Sequence, residues 1–194
     1  MRESVSLAAI QGVPDIQPKD DLVAILGDCV ARDGGVEDGD ILCVAHKIVS
    51  KAEGNVIELA HVAPSPEATE LAQTLNKDPA KVEVVLRQSN LFVMSWRRPG
   101  QNEGTMICEH RLGYISANAA VDESNSADGT VITLPDDPDA SAARLGRGLE
   151  DRFGVTLGVV ITDTFGRPWR LGQVNVAIGL YKVPAKTSDI GSSA

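Results

Sequence analysis

Two carboxylates, each placed where an apolar run gives way to polar residues, are the positions in this chain best suited to chemistry. Val159, Val160 and Ile161 read as a buried strand and lead into Asp163 and Thr164, after which Gly166, Arg167 and Pro168 mark a turn. A carboxylate and a hydroxyl at such a strand end can share a divalent cation, because hard cations take oxygen ligands. Arg167 and Arg170 just beyond suit bidentate capture of a phosphate or a carboxylate. The plainer alternative is a strand closed by an Asx-type turn with two solvated arginines. A second strand end follows the small, apolar residues 114–121 and carries Asp122, Glu123, Ser124 and Asn125. If the two strands are neighbours, Asp122 and Asp163 can hold one cation, which relieves the repulsion between the two charges.

Positive charge is concentrated in residues 46–54 (HKIVSKAEG), directly after the apolar run 40–45. Lys47, Ser50 and Lys51 form the best local cationic pocket, and the compact ammonium of Lys51 suits a phosphate as a point charge. An exposed, lysine-bearing helix start is the alternative. His46 alone reads more simply as a packed or solvated histidine than as a catalytic one.

These residues sit in a chain of 194 residues with net charge −9 and a pI near 4.8. Such an acidic balance argues against non-specific nucleic-acid binding, which needs a basic footprint, but leaves room for a nucleotide in a local basic pocket. Apolar residues make up 43% of the chain and aromatics 4%, so a core is affordable but must rest on Val, Ile, Leu and Ala. Cys29, Cys43 and Cys108 are odd in number and scattered, which suggests reduced thiols in a cytoplasmic protein. No apolar run approaches the ~20 residues of a membrane helix, so no membrane partner is expected.

The elements that must position the site alternate. Residues 4–10 read as a strand, ended by Gly12 and Pro14. An amphipathic helix is expected over 20–31, with Leu22, Ile25, Leu26, Cys29 and Val30 on one stripe. Strands follow at 40–45, 91–96 and 130–134. Helices begin at Ser65-Pro66, Asp78-Pro79 and Asp137-Pro138, each a capping residue followed by proline. Residues 173–179 suit a further strand or a small-residue loop, and 182–194 look like a frayed tail. The pattern predicts an α+β (mixed α/β) fold, a mixed sheet with flanking helices.

Five segments occur in an order that resembles one known family: residues 46–54, 109–113 (EHRLG), 118–125 (NAAVDESN), 134–141 (LPDDPDAS) and 161–170 (ITDTFGRPWR). They are similar to the coenzyme F-420-0:L-glutamate ligases, the gamma-glutamyl ligases of deazaflavin biosynthesis, and the likeness runs from about residue 5 to 179. It implies a GTP-dependent ligase that adds L-glutamate through amide bonds to coenzyme F-420-0 by way of an acyl phosphate. Carried over by position, Asp122 and Asp163 would ligate one divalent cation and Thr164 would lie near a second, with Mg²⁺ or Mn²⁺ expected and K⁺ a further candidate. Val13, Pro14, Asp15 and Ile16 match a segment lying against the nucleotide. His46, Lys51 and Asn125 match further nucleotide contacts. Arg167 and Arg170 are added on chemical grounds as catalytic groups.

The likeness ends near Gly179, whereas the family's sequences continue. The expected organisation is therefore a C-terminally incomplete ligase-like domain over 1–180 with an unstructured tail over 181–194. A homodimer is also implied. An inactive or weakly active GTP- and metal-binding fragment is the alternative, and a metal-dependent phosphatase or kinase would use the same groups.

Overall fold

The computed structural model describes residues 4–166 and 171–187. Its central sheet is short and mixed. Strand β1 (Ile41–Ala45) pairs in parallel with β7 (Gly158–Gly166), and β7 pairs antiparallel with β8 (Gln173–Tyr181). Helices α1 (Leu22–Arg32), α2 (His46–Glu53) and α5 (Pro138–Phe153) flank it. Leu26, Val44, Val49, Leu145, Leu149, Val159, Ile161 and Ile178 close into one core. The α+β architecture with a mixed sheet and flanking helices is the one expected.

A second core lies under α3 (Pro66–Leu75) and α4 (Pro79–Arg87). These pack on an antiparallel sheet of β3 (Ser89–Trp96), β4 (Thr105–His110) and β5 (Ile115–Ala117), burying Ala72, Leu75, Val82, Val85, Met106 and Cys108. A third ladder joins β2 (Val56–Glu58) to β6 (Thr130–Ile132). The expected caps form: Ser65, Asp78 and Asp137 each accept a backbone N–H from the first turn of the helix they precede, and proline opens α3, α4 and α5.

Three local expectations fail. Asp122 does not end a strand beside that of Asp163: β5 stops at Ala117, and the Asp122 segment bridges to β6, in a different sheet from β7. Residues 4–10 take no regular structure and leave Val5 and Leu7 exposed, because alternating apolar residues make a strand only where a partner edge bonds them. Asp163 and Thr164 do not follow a strand. They lie inside β7, which runs on to Gly166 because β8 supplies an edge for it, Asp163 opposite Val176 and Thr164 opposite Asn175. It is β1 that stops, at Ala45 opposite Thr162. Beyond that point the β1 side of β7 is taken over by the start of α2. β8 also extends through Tyr181, and Lys182 pairs with Glu150 at 2.6 Å. No helix among the described residues is long and apolar enough to cross a membrane.

Helix α5 lies against β8 so closely that two glycines are required. A Cβ at Gly179 would stand 2.4 Å from the Pro138 carbonyl oxygen, and one at Gly146 would stand 2.2 Å from the Tyr181 ring. The first obstacle is backbone and cannot rotate away. Gly179→Ala is therefore expected to cost about 2 kcal/mol, the scale of overpacking a core. Thermal unfolding followed by circular dichroism tests this, and an unchanged Tm would show that α5 can lift off the strand freely.

Candidate nucleotide and metal site

Helix α2 begins directly after β1, so its first two residues project where two other segments arrive. His46 is 2% exposed, with Nε2 3.2 Å from Asp163 Oδ1 and Nδ1 3.3 Å from Ser50 Oγ. The Asp163 contact is close in distance but poorly aligned, and it leaves Nε2 without a true hydrogen bond. Lys47 turns the other way, its Nζ 2.6 Å from Asp122 Oδ2 and bonded also to Ser124 Oγ. The two carboxylates, one on β7 and one on the segment that bridges to β6, thus meet consecutive residues of one helix. The N-terminal end of that helix carries fixed partial positive charge, which favours anions there.

Asp122 is held firmly. Its backbone exchanges two hydrogen bonds with Ile132, and its carboxylate accepts from the Ser124 N–H and hydroxyl, each at 2.8 Å. Burial alone would raise its pKa, but Lys47 and Ser124 outweigh burial and hold the carboxyl below the usual carboxylate range. Asp163 Oδ1 accepts the Thr164 N–H at 2.7 Å, while the Thr164 hydroxyl donates to Asn175 Oδ1 at 2.9 Å. A hydroxyl whose proton is so engaged keeps its lone pairs for a cation. Among the described residues no three His, Cys, Asp or Glu side chains form a cage for a metal ion. A cation at Asp122 and Asp163 would complete its coordination with ligand oxygens and water, as Mg²⁺ commonly does.

The segment expected against a nucleotide lies one turn along the same helix. Lys51 Nζ, 14% exposed, meets Asp15 Oδ1 at 2.8 Å, and Gln17 holds the other Asp15 oxygen. Lys51 is the first cause of the lowered pKa of Asp15. Ile16 is buried at 2%, Val13 packs on the first core, and Pro14 and Asp15 are exposed. Asn125, also exposed, follows Asp122 and adopts a left-handed φ of 62°. Asp15, Lys51, Asp122 and Asp163 therefore gather along α2. His46 sits beneath Asp163 instead of in the open. Arg167 and Arg170 lie outside the described residues.

The profile of the F420-0:Gamma-glutamyl ligase family matches residues 12–194. The chain belongs to this family. The match continues through the part after Gly179 that motif comparison left unmatched, which corrects that expectation: weak likeness spread along a segment is invisible to motif matching. The chain is 48% identical over 169 residues to the coenzyme F420:L-glutamate ligase of Methanopyrus kandleri, covering 87% of this chain and 63% of that protein. Against the Methanothermobacter thermautotrophicus protein of the same description identity is 42%, covering 91% and 68%, and against that of Methanosarcina mazei 36%, covering 90% and 65%. The chain thus spans about two thirds of the length of these relatives.

Two features of this ligase-family site escaped the sequence reading. Asn118, Ala119 and Ala120 all have positive φ, 51°, 48° and 55°, a left-handed turn just before the Asp122 segment. For residues with a Cβ this conformation costs roughly 1–2 kcal/mol each, and Ala-Ala gives no sign of it. Ala120→Gly is expected to be neutral or to stabilise by up to about 1 kcal/mol, the reverse of its effect in a right-handed helix. Denaturant unfolding measures this, and a loss of 1 kcal/mol or more would show that the turn is unstrained.

The other is His110 at the end of β4. Its Nδ1 accepts the Leu112 N–H at 3.0 Å, its Nε2 is buried without a partner, and the residue is fully buried. Burial, then the charge of Arg111, push its pKa down to about 4, against an opposing pull from Asp163. The ring is neutral in the folded chain, while the unfolded chain binds a proton below pH 6.5. Its contribution is complete above that pH and is lost as pH falls toward 4, amounting to about 3 kcal/mol at most. His110→Asn, which keeps an acceptor for Leu112, should flatten that part of the stability–pH curve. An unaltered slope between pH 7 and 4 would remove His110 as its source.

Proposed function

We propose that this chain carries the nucleotide and metal site of a GTP-dependent ligase that joins L-glutamate to the deazaflavin coenzyme F420-0 through an amide bond. The observation that carries the reading is that Asp163 and Asp122, from separate segments, are met by the consecutive residues His46 and Lys47. Lys51 and residues 13–16 lie one turn further along the same helix. The coenzyme F420:L-glutamate ligases to which the chain is 36–48% identical supply the substrate class.

The chemistry follows from a difficulty. A carboxylate is a poor electrophile, so its oxygen first attacks the γ-phosphorus of GTP, the bond to GDP breaks, and an acyl phosphate forms. The amine of L-glutamate then attacks the acyl carbon, the C–N bond forms, inorganic phosphate leaves, and the nitrogen loses a proton. Lys51, freed from Asp15 by a better anion, would contribute a point charge to a phosphate. Lys47 would balance Asp122 when no ligand is present. Asp122 and Asp163 would hold one Mg²⁺ or Mn²⁺ and the Thr164 hydroxyl would lie near a second cation, and such ions supply charge neutralisation for a transferring phosphoryl group. Arg167 and Arg170 are assigned to the acyl phosphate or the substrate carboxylate. No covalent enzyme nucleophile is required, and Cys29, Cys43 and Cys108 are free thiols.

A second reading is binding of GTP and metal without turnover, since no three His, Cys, Asp or Glu side chains among the described residues form a cage for a metal ion. Incubation with GTP, Mg²⁺ or Mn²⁺, L-glutamate and F420-0 separates the two by the appearance of the glutamylated product. Asp163→Asn is expected to lower metal-dependent turnover at least about 100-fold, the scale of losing an electrostatic group at a reacting centre. Unchanged turnover in that variant would refute the metal assignment, and failure to bind GTP at all would refute both readings.

A further inference from the structure

Lysine is seldom buried, and at Lys81 burial meets a second disadvantage. The residue sits in the first turn of α4, at the helix end that repels positive charge, and only 6% of it is exposed. Two carboxylates compensate. Lys81 Nζ is 2.8 Å from Glu103 Oε2 and 2.6 Å from Glu123 Oε2, and Lys77, with its side chain 3% exposed, also meets Glu103 at 2.8 Å. The order is Lys77–Glu103–Lys81–Glu123, two positive and two negative groups. Burial is the largest single influence on the Lys81 pKa and would lower it, but the two glutamates together outweigh it and the ammonium stays charged.

Glu123 is the immediate neighbour of Asp122. Adjacent side chains on an extended segment point to opposite sides, and here one reaches Lys47 on α2 while the other reaches Lys81 on α4. The segment is therefore gripped from both sides, by the helix of the candidate site and by a helix of the second core. Residue Asp122 is fixed in its bridge to β6, and Ser126 bonds back to the Glu123 carbonyl at 2.7 Å. The Lys81–Glu123 bond adds a restraint on the rotation of the chain about its own direction, opposite to the Lys47 and Ser124 contacts of Asp122.

We propose that Lys81 is a positioning residue: through Glu123 it orients the segment 122–125 so that Asp122 presents its carboxylate to a divalent cation beside α2. This rests on the reading of Asp122 as a cation ligand. Lys77 provides an internal control, since it belongs to the same buried network but touches Glu103 and not the segment.

The test is Mn²⁺ affinity of the full chain, measured by calorimetry and by the electron paramagnetic resonance signal of free Mn²⁺, with circular dichroism as the check on folding. Lys81→Met and Glu123→Ala are expected to weaken Mn²⁺ binding about tenfold, the lower end for loss of a partner one layer behind a ligand. Lys77→Met should stay within about twofold of the unaltered chain. Glu123→Gln, whose amide oxygen still accepts from Lys81, should recover most of the affinity. If Lys81→Met does not fold, Glu123→Ala decides, because Glu123 is half exposed. Unaltered affinity in a folded Lys81→Met or in Glu123→Ala overturns the proposal, as does an equal loss in Lys77→Met. Absence of Mn²⁺ binding by the unaltered chain removes the metal reading itself, and this inference with it.

Discussion

Carboxylates from separate segments of an acidic chain need something fixed in place to receive them, and here the first turns of α2 do so. His46, Lys47 and Lys51 share one short helix, and each meets an aspartate from a different segment: Asp163, Asp122 and Asp15. The half-exposed Lys47–Asp122 pair contributes no more than about 1 kcal/mol to stability. Its larger consequence is directional. The same helix that closes the first core through Val49 also decides where three anionic side chains point.

That arrangement depends on β1 being shorter than β7. With five residues in β1 and nine in β7, the last four residues of β7, 163–166, stand free of it on that side. Helix α2 enters there. β8 on the far edge keeps β7 extended, so Asp163 and Thr164 are held by a ladder and not by a turn. Rigid backbone beneath the candidate ligands is what such a site would need, because misplacement by an ångström is costly for catalysis.

The Asp122 side of the site is built differently. Its segment is reached through three consecutive left-handed residues, 118–120, and leaves through a fourth, Asn125. Strain of this kind persists only where the surroundings over-determine it. Here the Ile132 bridge, the Lys47 contact and the Lys81–Glu123 contact do so. The two cores therefore meet at this segment: α2 from the first and α4 from the second hold neighbouring residues.

Much of this was legible in the residues themselves. Capping residues followed by proline located α3, α4 and α5, since an Asp or Ser oxygen satisfies the free N–H groups of a first turn wherever the helix lies in the fold. Apolar periodicity located α1, β1 and the buried half of β7, because it records which face must leave water. Asp122, Asp163 and the lysines of α2 stood out as charge beside apolar runs. Such features are local, and local chemistry is written in sequence order. What sequence order does not contain is which segments become neighbours. Only the folded chain decided that Asp163 lies within a strand, that His46 is buried beneath it, that residues 4–10 find no edge to bond, and that a lysine of α4 reaches the residue next to Asp122. Those outcomes are set by contacts between residues dozens of positions apart, where packing and the pairing of buried charge select one arrangement among many that local preference allows.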